Sequence, residues 1–312
     1  MKTGIYLSYV GLGVNLLHLS YCHQIAKKNG PVTIITLCKN LEAALADDPL
    51  IEKVFYIDQY HKKLIDVFSL AKILKSFNFR DLLIFYPSIR LYLSSKLAGI
   101  KNVWIYDFFK KKNLHLVKTA KKLTEDYLQI NNCPTETNFF ITKEKLDKIY
   151  NECDKSKFKI VIGAGSSGPT TRWGSKNFSE LINKLNESDD YFFFLLCGPN
   201  EKEIESEIIL NLNKKNYITL SNKNIKSLIP YLCASDMYVG NDSFGSHITS
   251  QYGKKSIVIL LDSPKAYTDY SQNYHRMVPS GYDIEKISHG TNADPNLITV
   301  EEVIKTIKQF KN

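Results

Sequence analysis

A glycine-rich loop follows an apolar run at the start of the second half of the chain. Gly163, Gly165 and Gly168 have the spacing GxGxxG within the segment 162–168, IGAGSSG. Backbone without Cβ atoms lets an anion approach closely, and the N–H groups of such a loop can bind a phosphate. Three interpretations stay open: a phosphate-binding loop, a dinucleotide site and a flexible loop without a ligand.

The order of elements after this loop bears on the dinucleotide interpretation. A dinucleotide site has a helix directly after the glycines and an acidic residue at the end of the next strand. Here the next helix is predicted to begin only near Asn177, and the residues CGPN precede the first acid, Glu201. The sequence therefore favours a phosphate loop of another kind, and NAD-linked oxidoreduction is the less favoured function.

Arg172 stands between the glycine-rich loop and the next predicted helix. A guanidinium stays charged at physiological pH and offers paired, planar donors, which suit a diphosphate. The alternative for Arg172 is an ion pair at the protein surface with no ligand.

A second polar cluster follows the predicted strand 237–240. Asp242 and Ser243 lie at the tip of this strand, before a helix that is predicted to begin near Phe244. The unpaired N–H groups and the dipole of a helix N-terminus favour a phosphate. Ser243 and His247 are four residues apart and share one face of that helix. The alternatives are an N-cap role for Asp242 and a histidine without a ligand at position 247.

Short runs rich in β-branched and aromatic residues alternate with helical patterns along the chain. Such alternation predicts βαβ units with parallel sheets, whose ligands bind at the carboxyl ends of the strands. The predicted strands cover residues 5–8, 32–37, 54–57, 82–86, 103–106, 158–162, 191–197, 217–220, 237–240 and 256–261. The predicted helices include 15–28, 65–77, 143–151 and 299–310.

The segment 131–156 interrupts this alternation with the polar stretches NNCPTETN and CDKSK. We place a domain boundary there. The chain is thus predicted to be an α/β protein with one Rossmann-like domain over residues 1–150 and another over residues 156–312. The amphipathic helix 299–310 is expected to pack near the cleft between the two domains.

The composition narrows the class of protein. Of the 312 residues, 44% are apolar and 23% are charged, which is typical of a globular chain with a sizeable core. The 41 basic and 32 acidic residues leave a net charge of +9, but only four of the basic residues are arginine. Proteins that read nucleic acid concentrate arginine, so an anionic small molecule or an anionic surface is favoured over nucleic acid.

Cysteine usage and apolar runs indicate the compartment. The longest apolar run, residues 191–197, is far shorter than the about 20 residues of a membrane-spanning helix. The N-terminal residues lack the small-residue cleavage site of a signal peptide, and the six cysteines form no CxxC pair. Scattered cysteines are typical of reduced thiols. We therefore expect a cytoplasmic protein without a zinc site or a disulfide framework.

The order of these motifs resembles glycosyltransferase family 9, the heptosyltransferases of lipopolysaccharide core synthesis. In residues 160–250 the resemblance rests on the segments GAGSSGPTTRW, CGPNE and GNDSFGSH. In the first half, a predicted strand leads into Gly11-Leu12-Gly13, and the segment AGIKNVWIYD at residues 98–107 is similar to the family's A-G-x-x-x-R-I-G-Y-D.

The resemblance implies a GT-B fold, with two Rossmann-like domains whose parallel sheets face each other across a cleft. It implies a donor on the second domain, an acceptor on the first, and an inverting transfer that needs no metal and no cofactor. The donor would be a nucleotide-diphosphate sugar such as ADP-heptose, and the acceptor a lipopolysaccharide core or another cell-surface glycan. The chain contains no Asp-x-Asp, the usual metal-binding motif of other glycosyltransferases.

The resemblance also implies roles for particular residues. The ribose would contact Glu201. The diphosphate would contact the glycine-rich loop and the residues after it: Gly165, Ser166, Ser167, Thr171 and Arg172. The region where the diphosphate joins the sugar would contact Asp242, Ser243 and His247. The acceptor-side loop would consist of Gly11, Gly13, Val14 and Asn15.

The chain departs from the family where the general base is expected. The family has an Asp directly after the first-domain glycine, whereas Val14 follows Gly13 here, and valine cannot accept a proton. Two other residues are candidates for the base: His18, one helical turn from Val14, which we favour, and Asp107 at a predicted strand end. Otherwise the acceptor needs little help, or the protein binds a nucleotide sugar without transferring it.

Three consecutive lysines, Lys110, Lys111 and Lys112, lie in the predicted acceptor domain. Their charge would suit an anionic acceptor such as a phosphorylated glycan or lipid, met at the inner membrane surface. The alternative is a solvated lysine loop with no ligand.

Overall fold

A computed structural model describes residues 2–58, 65–108, 115–166 and 168–311 of the chain. Two of the sequence predictions, Ser167 and the three lysines at 110–112, lie outside these described residues. No helix among the described residues is both long enough and apolar enough to cross a membrane.

The chain divides into two units, Met1–Phe140 and Ile141–Asn312. The division falls inside the predicted boundary segment, 131–156. However, the helix Lys143–Glu152 packs against the helix Ile225–Ala234. It therefore belongs to the second unit, and not to a first domain that ends at residue 150.

The first unit is built on a five-stranded parallel sheet in the order β3-β2-β1-β4-β5. Its strands are β1 (Thr3–Leu7), β2 (Val32–Thr36), β3 (Ile51–Tyr56), β4 (Asp81–Ile84) and β5 (Asn102–Ile105). Its helices are α1 (Leu12–Leu17), α2 (Leu19–Asn29), α3 (Leu41–Ala44), α4 (Asp66–Ser76), α5 (Ile89–Leu97) and α6 (Leu116–Leu128). Every residue of β1 and β2 is buried, as is typical of a parallel sheet.

The second unit is built on a six-stranded parallel sheet in the order β11-β10-β9-β6-β7-β8. Its strands are β6 (Phe158–Gly163), β7 (Tyr191–Leu196), β8 (Tyr217–Thr219), β9 (Met237–Asn241), β10 (Lys255–Ile259) and β11 (Tyr274–Met277). Its helices are α7 (Lys143–Glu152), α8 (Ser175–Leu185), α9 (Lys202–Leu210), α10 (Ile225–Ala234), α11 (Phe244–Gln251) and α12 (Val300–Lys311). Helix α12 packs against α8 and β10 of its own unit.

Each sheet reverses its strand order once, and this reversal locates the site-forming edge. In the first sheet the reversal lies between β1 and β4, and in the second it lies between β6 and β9. Ligands of open parallel sheets bind at the carboxyl ends of the strands beside such a reversal. The glycine-rich loop follows β6 and the Asp242 cluster follows β9, so the fold brings the two predicted motifs to one edge.

Two elements differ from the sequence prediction for identifiable reasons. The predicted helix 15–28 is two helices, which meet at His18. The imidazole Nδ1 of His18 bonds to the Val14 carbonyl at 2.7 Å and so competes with the backbone ladder at that carbonyl. Strand β11 was not predicted, because its sequence, YHRM, has neither the apolar run nor the clean alternation of a strand.

Strands β6 and β9 approach each other closely at their carboxyl ends. Gly163 and Gly240 are paired in the register of the two strands. A Cβ atom on Gly240 would overlap the backbone of Gly163, and one on Gly163 would overlap the ring of Tyr238. Glycine is required at position 240, because the backbone obstacle there cannot rotate away. At position 163 the obstacle is the ring of Tyr238, which is fully buried.

Replacing Gly240 with alanine should therefore destabilise the second unit by about 2–4 kcal/mol. Gly168→Ala is the matched control, because its φ of −157° suits any residue and nothing lies within 4 Å of its added Cβ. We expect the control to change stability by less than about 0.5 kcal/mol. Urea unfolding followed by tryptophan fluorescence measures both variants, and equal stabilities would contradict the close approach of β6 and β9.

Candidate functional site

The loop after β6 is held to the sheet by the side chain of Asn241, the last residue of β9. Its amide nitrogen donates to the carbonyl of Ala164 at 2.7 Å, and its amide oxygen accepts from the N–H of Trp173 at 2.9 Å. The amide is fully buried. Loss of either hydrogen bond would leave a buried polar group unpaired, which costs about 1–3 kcal/mol of folding free energy. Asn241 thus fixes both ends of the segment 164–173.

Glu201 holds the same loop from the side of β7. Its carboxylate accepts from the N–H of Ser166 at 2.9 Å and from the N–H of Gly198 at 2.7 Å. A Cβ atom on Gly165 would overlap this carboxylate, so the glycine makes room for it. The resemblance implied a ribose contact for Glu201. In the structure both carboxylate oxygens accept hydrogen bonds from the protein and shape the loop, and the ribose contact stays a prediction.

Arg172 pairs with the carboxylate of Glu201, with an Nη2 to Oε1 distance of 2.9 Å. The two side chains are 29% and 14% exposed, so this is a partly buried pair and not the surface pair that the sequence left open. The Nε of Arg172 is buried and has no hydrogen-bond partner. An unpaired buried donor is costly, which makes this Nε a candidate partner for an external acceptor.

Hydroxyl groups line the turn beside Arg172. The hydroxyls of Ser166 and Thr171 lie 2.6 Å apart, and both donate toward the carbonyl of Gly168, at 3.0 and 2.8 Å. The structure therefore brings together the predicted loop residues that it describes. These hydroxyls form a polar surface with the adjacent guanidinium, and the donor for a phosphate oxygen in this surface is the unpaired Nε of Arg172.

Asp242 follows Asn241 directly and has an unusual carboxyl group. Its side chain is 8% exposed, and its Oδ1 is buried without a hydrogen-bond partner. Burial raises the pKa of the Asp242 carboxyl to about 6. The Nε2 of His247 lies 3.8 Å from Oδ1, too far for a hydrogen bond. A buried acceptor without a donor favours a ligand hydroxyl at this position.

His247 is held from the opposite side by aromatic residues. Its Nδ1 lies 2.8 Å from the hydroxyl of Tyr270, and the two rings are stacked with centroids 5.7 Å apart. Burial lowers the pKa of His247 to about 3, so the imidazole is neutral near pH 7. His247 and Asp242 are therefore not a charged pair. The imidazole, stacked on the ring of Tyr270, lies beside the Asp242 carboxyl group.

Ser243 occupies the N-cap position of α11, so Asp242 does not cap this helix. The Ser243 hydroxyl does not cap it either, because it lies 3.0 Å from the hydroxyl of Tyr238. Tyr238 in turn donates to the carbonyl of Asn241 at 2.6 Å. A Cβ atom on Gly245 would overlap Leu196, so this glycine lets α11 approach the sheet. No side chain of the described residues caps the first turn of α11, so its backbone N–H groups and the positive end of the helix dipole face the carboxyl edge of the sheet.

Asp262, after β10, is a site residue that the sequence did not single out. Its Oδ1 accepts from the N–H groups of Gly290 and Thr291 at 2.6 and 2.8 Å, and its Oδ2 accepts from the hydroxyl of Thr170 at 2.6 Å. The Thr170 hydroxyl, with these N–H groups, lowers the pKa of the Asp262 carboxyl. The signal that identified Asp242, an acid after a predicted strand, also applies to Asp262.

In the first unit, Asn15 has the role that Asn241 has in the second. Its amide nitrogen donates to the carbonyls of Tyr9 and Gly11 at 3.0 and 2.7 Å. Its amide oxygen accepts from the hydroxyl of Thr36 at 2.9 Å. The side chain is buried, so Asn15 holds the predicted acceptor-side loop and is not itself displayed to a ligand.

The other residues of the acceptor-side loop differ in their exposure to solvent. Gly11 is exposed, while Gly13 and Val14 are half-buried. Asp107, the second candidate base, follows β5 and is exposed. Because β1 and β5 are parallel members of one sheet, the loop and Asp107 lie at the same edge.

His18, the candidate base that we favoured, has no exposed surface. Its Nδ1 lies 2.7 Å from the Val14 carbonyl oxygen and its Nε2 lies 3.2 Å from the Tyr106 hydroxyl. Its ring stacks on Tyr9 and packs edge-on against Phe85. Burial lowers the pKa of His18 to about 4. A ring enclosed in this way does not reach a substrate hydroxyl, so the geometry favours a structural role.

Known proteins resemble this chain in sequence and in fold. The profile of Glycosyltransferase family 9 (heptosyltransferase) matches residues 100–289. Lipopolysaccharide heptosyltransferase 1 of Campylobacter coli is 22% identical over 300 residues, which cover 87% of this chain and 88% of that protein.

Two solved structures from E. coli share the fold. ADP-heptose lps heptosyltransferase II superimposes with a TM-score of 0.76 at 15% identity, covering 99% of this chain and 98% of its own. Heptosyltransferase WaaC with ADP superimposes with a TM-score of 0.75 at 13% identity, covering 99% of each chain. These likenesses confirm the predicted GT-B fold class.

Replacing His18 with glutamine should make the protein less sensitive to acid. The pKa of His18 is lowered from 6.5 to about 4 in the folded protein. Above about pH 6.5 the histidine is neutral in both the folded and the unfolded chain, so its titration takes nothing from the free energy of unfolding. As the pH falls toward 4, His18 binds a proton in the unfolded chain but not in the folded protein, so the free energy of unfolding decreases. Between about pH 7.5 and about pH 5, the wild type should lose about 2 kcal/mol more than His18→Gln.

Urea unfolding at the two pH values measures this difference. The glutamine amide can still donate a hydrogen bond to the Val14 carbonyl, but it has no group that titrates in this pH range. Equal pH dependence of the two proteins would show that His18 takes up a proton in the folded state, as an accessible base does.

Proposed function

Because the chain belongs to glycosyltransferase family 9, we propose that it transfers heptose or a related sugar from a nucleotide-diphosphate donor to a lipopolysaccharide core or similar glycan. Membership of the family makes the chain a glycosyltransferase of the heptosyltransferase type. The donor half of the proposal is carried by one observation. The N–H of Trp173 donates to the side chain of Asn241, and the residue next to each of them has a buried group without a partner: Nε of Arg172 and Oδ1 of Asp242.

The diphosphate is assigned to the edge formed by the glycine-rich loop and α11. Arg172 offers an unpaired Nε donor and a positive charge, and Ser166 and Thr171 offer hydroxyls. The first turn of α11 adds backbone N–H groups and the positive end of the helix dipole. Each of these groups is held before the donor arrives, so little reorganisation is needed on binding.

The sugar is assigned to Asp242. Its unpaired Oδ1 is an acceptor that a sugar hydroxyl can satisfy. With the pKa raised to about 6, most of this carboxyl is ionised near pH 7, and a charged acceptor makes the stronger hydrogen bond. The neutral His247 adds no charge that would compete with the sugar for this carboxylate.

The reaction we propose is an inverting displacement without a metal ion. As the bond from the sugar to the diphosphate breaks, negative charge grows on the leaving nucleoside diphosphate. Arg172 and the N–H groups at the start of α11 would stabilise this charge in place of a metal. We propose ADP-heptose as the donor, because the E. coli relative WaaC was solved with ADP.

The acceptor hydroxyl must lose a proton to a base in the first unit. Val14 cannot take it, and His18 is enclosed. Asp107 is exposed at the carboxyl edge of the same sheet, two strand positions from β1, or roughly 10 Å. We therefore assign this role to Asp107 in preference to His18. The acceptor is proposed to be anionic and to be met on the cytoplasmic side of the inner membrane, in keeping with the net charge of +9.

One observation supports a second candidate function. Valine at position 14 is compatible with a protein that binds a nucleotide sugar without transferring it. This alternative shares the donor site, so nucleotide binding alone does not separate the two functions. Product formation separates them.

Thermal unfolding with about 1 mM ADP, UDP, GDP, CDP or NAD tests the donor site. A ligand at about 100 times its Kd stabilises a protein by about 2.7 kcal/mol, which raises Tm by several degrees. We expect this rise with ADP and none with NAD. Arg172→Gln should lose most of the rise, while the control Arg80→Gln, an exposed arginine of the first unit, should keep it.

Two results would contradict the proposal at different points. No shift with any nucleoside diphosphate in a folded protein would remove the donor site. A shift with ADP, but no sugar transfer from ADP-heptose to a lipopolysaccharide core acceptor, would leave the binding protein as the function.

A further inference from the structure

Exposed apolar side chains of the first unit cluster on two neighbouring helices. The described residues contain ten large apolar side chains that are exposed. Five of them lie on α4 and α5, or on the residue before α4: Ile65, Phe68, Ile89, Leu93 and Leu97. The two helices pack against each other. We call the outward surface of these five side chains the α4–α5 face.

Helix α5 carries a continuous apolar stripe on its outer side. Ile89, Leu93 and Leu97 are spaced four residues apart and are 59%, 44% and 57% exposed. The opposite side of the helix buries Leu91 and Ser95. A surface helix of a globular protein normally turns a polar side to water. An exposed apolar stripe is typical of a surface that contacts another molecule or a membrane.

The topology places this surface beside the proposed acceptor site. Helix α4 lies between β3 and β4, and α5 lies between β4 and β5. Both helices therefore begin at the carboxyl edge of the sheet. Phe68 is in the first turn of α4 and Ile89 is the first residue of α5. Val10, 53% exposed, lies at the same edge after β1.

Basic residues surround the α4–α5 face. Helix α4 carries the exposed Lys72 and Lys75, and α5 carries Arg90 and the exposed Lys96. The two helices contain only one acidic residue, Asp66. Amphipathic helices with lysine and arginine beside an apolar face bind the interface of anionic membranes. The charge of the rim thus selects an anionic lipid surface over a neutral one.

We propose that the α4–α5 face docks on an anionic lipid bilayer, with its apolar side chains at the headgroup boundary and its cations on lipid phosphates. This inference rests on the proposed function, because a lipid-linked acceptor would be presented at such a surface. Phe68 and Ile89 form the end of this face that lies at the carboxyl edge of the first sheet, so docking would bring that edge near the membrane, where the acceptor hydroxyl would be reached.

Flotation with vesicles tests the proposal on the full chain. Vesicles of phosphatidylethanolamine with phosphatidylglycerol should bind the wild type, and phosphatidylcholine vesicles should bind it weakly. The triple variant Ile89→Gln, Leu93→Gln, Leu97→Gln should lower the partition coefficient by about tenfold or more. The control, Leu210→Gln with Leu297→Gln, changes exposed apolar residues of the second unit and should bind like the wild type.

A second variant tests the charged rim without touching the apolar stripe. Arg90→Gln with Lys96→Gln should lower binding to the anionic vesicles by about threefold or more, and about 0.5 M salt should do the same to the wild type. Binding that is equal in wild type and both variants would overturn the proposal. So would a wild-type dimer that the triple variant dissociates while vesicle binding is unchanged, because the occupant would then be a second copy.

The ADP shift in Tm separates this inference from the proposed function. The triple variant should keep the shift, since its substitutions lie in the other unit from the donor site. Loss of vesicle binding with the ADP shift retained supports the surface alone. A wild type that binds vesicles through this face but shows no ADP shift refutes the donor site and leaves the surface standing.

Discussion

The proposed donor site of the second unit depends on one buried amide. Asn241 bonds to Ala164 and Trp173 at once, so it ties the start and the end of the glycine-rich loop to the last residue of β9. This is possible only because Gly163 and Gly240 let the two central strands approach closely. Since the amide is excluded from water, both bonds must be made in the folded protein. The positions of the neighbouring charged groups follow from this constraint.

In both units a buried asparagine amide holds a loop at the edge of the sheet, but the side chains around the two amides differ in charge. Asn15 holds the loop after β1 as Asn241 holds the loop after β6, and in each case a buried amide satisfies backbone groups at a strand edge. Around Asn241, the second unit carries the charged side chains of Arg172 and Asp242. Around Asn15, the first unit carries the uncharged Val14 and the neutral, enclosed His18. This difference agrees with a charged donor site and an acceptor site whose base comes from elsewhere.

The strand–helix alternation was sufficient to predict the fold class, and the order of the motifs was sufficient to predict the family; both are confirmed. These features are local, so a single sequence records them. The enclosure of His18 and the engagement of Glu201 are not local. The imidazole of His18 meets Tyr106, and Glu201 meets Ser166, across long stretches of chain. Spacing along a helix does not reveal such partners. Asp262 is a different case, because it follows a predicted strand directly and the local pattern could have identified it.

The central claim is that the Asn241 amide builds the donor site. Calorimetric titration of ADP into Asn241→Asp tests it most directly, because the carboxylate keeps the shape of the side chain but cannot donate to Ala164. Asn15→Asp is the matched control in the other unit. We expect Asn241→Asp to weaken ADP binding by about tenfold or more and Asn15→Asp to leave it within about threefold. A folded Asn241→Asp protein that binds ADP as tightly as the wild type would contradict the account.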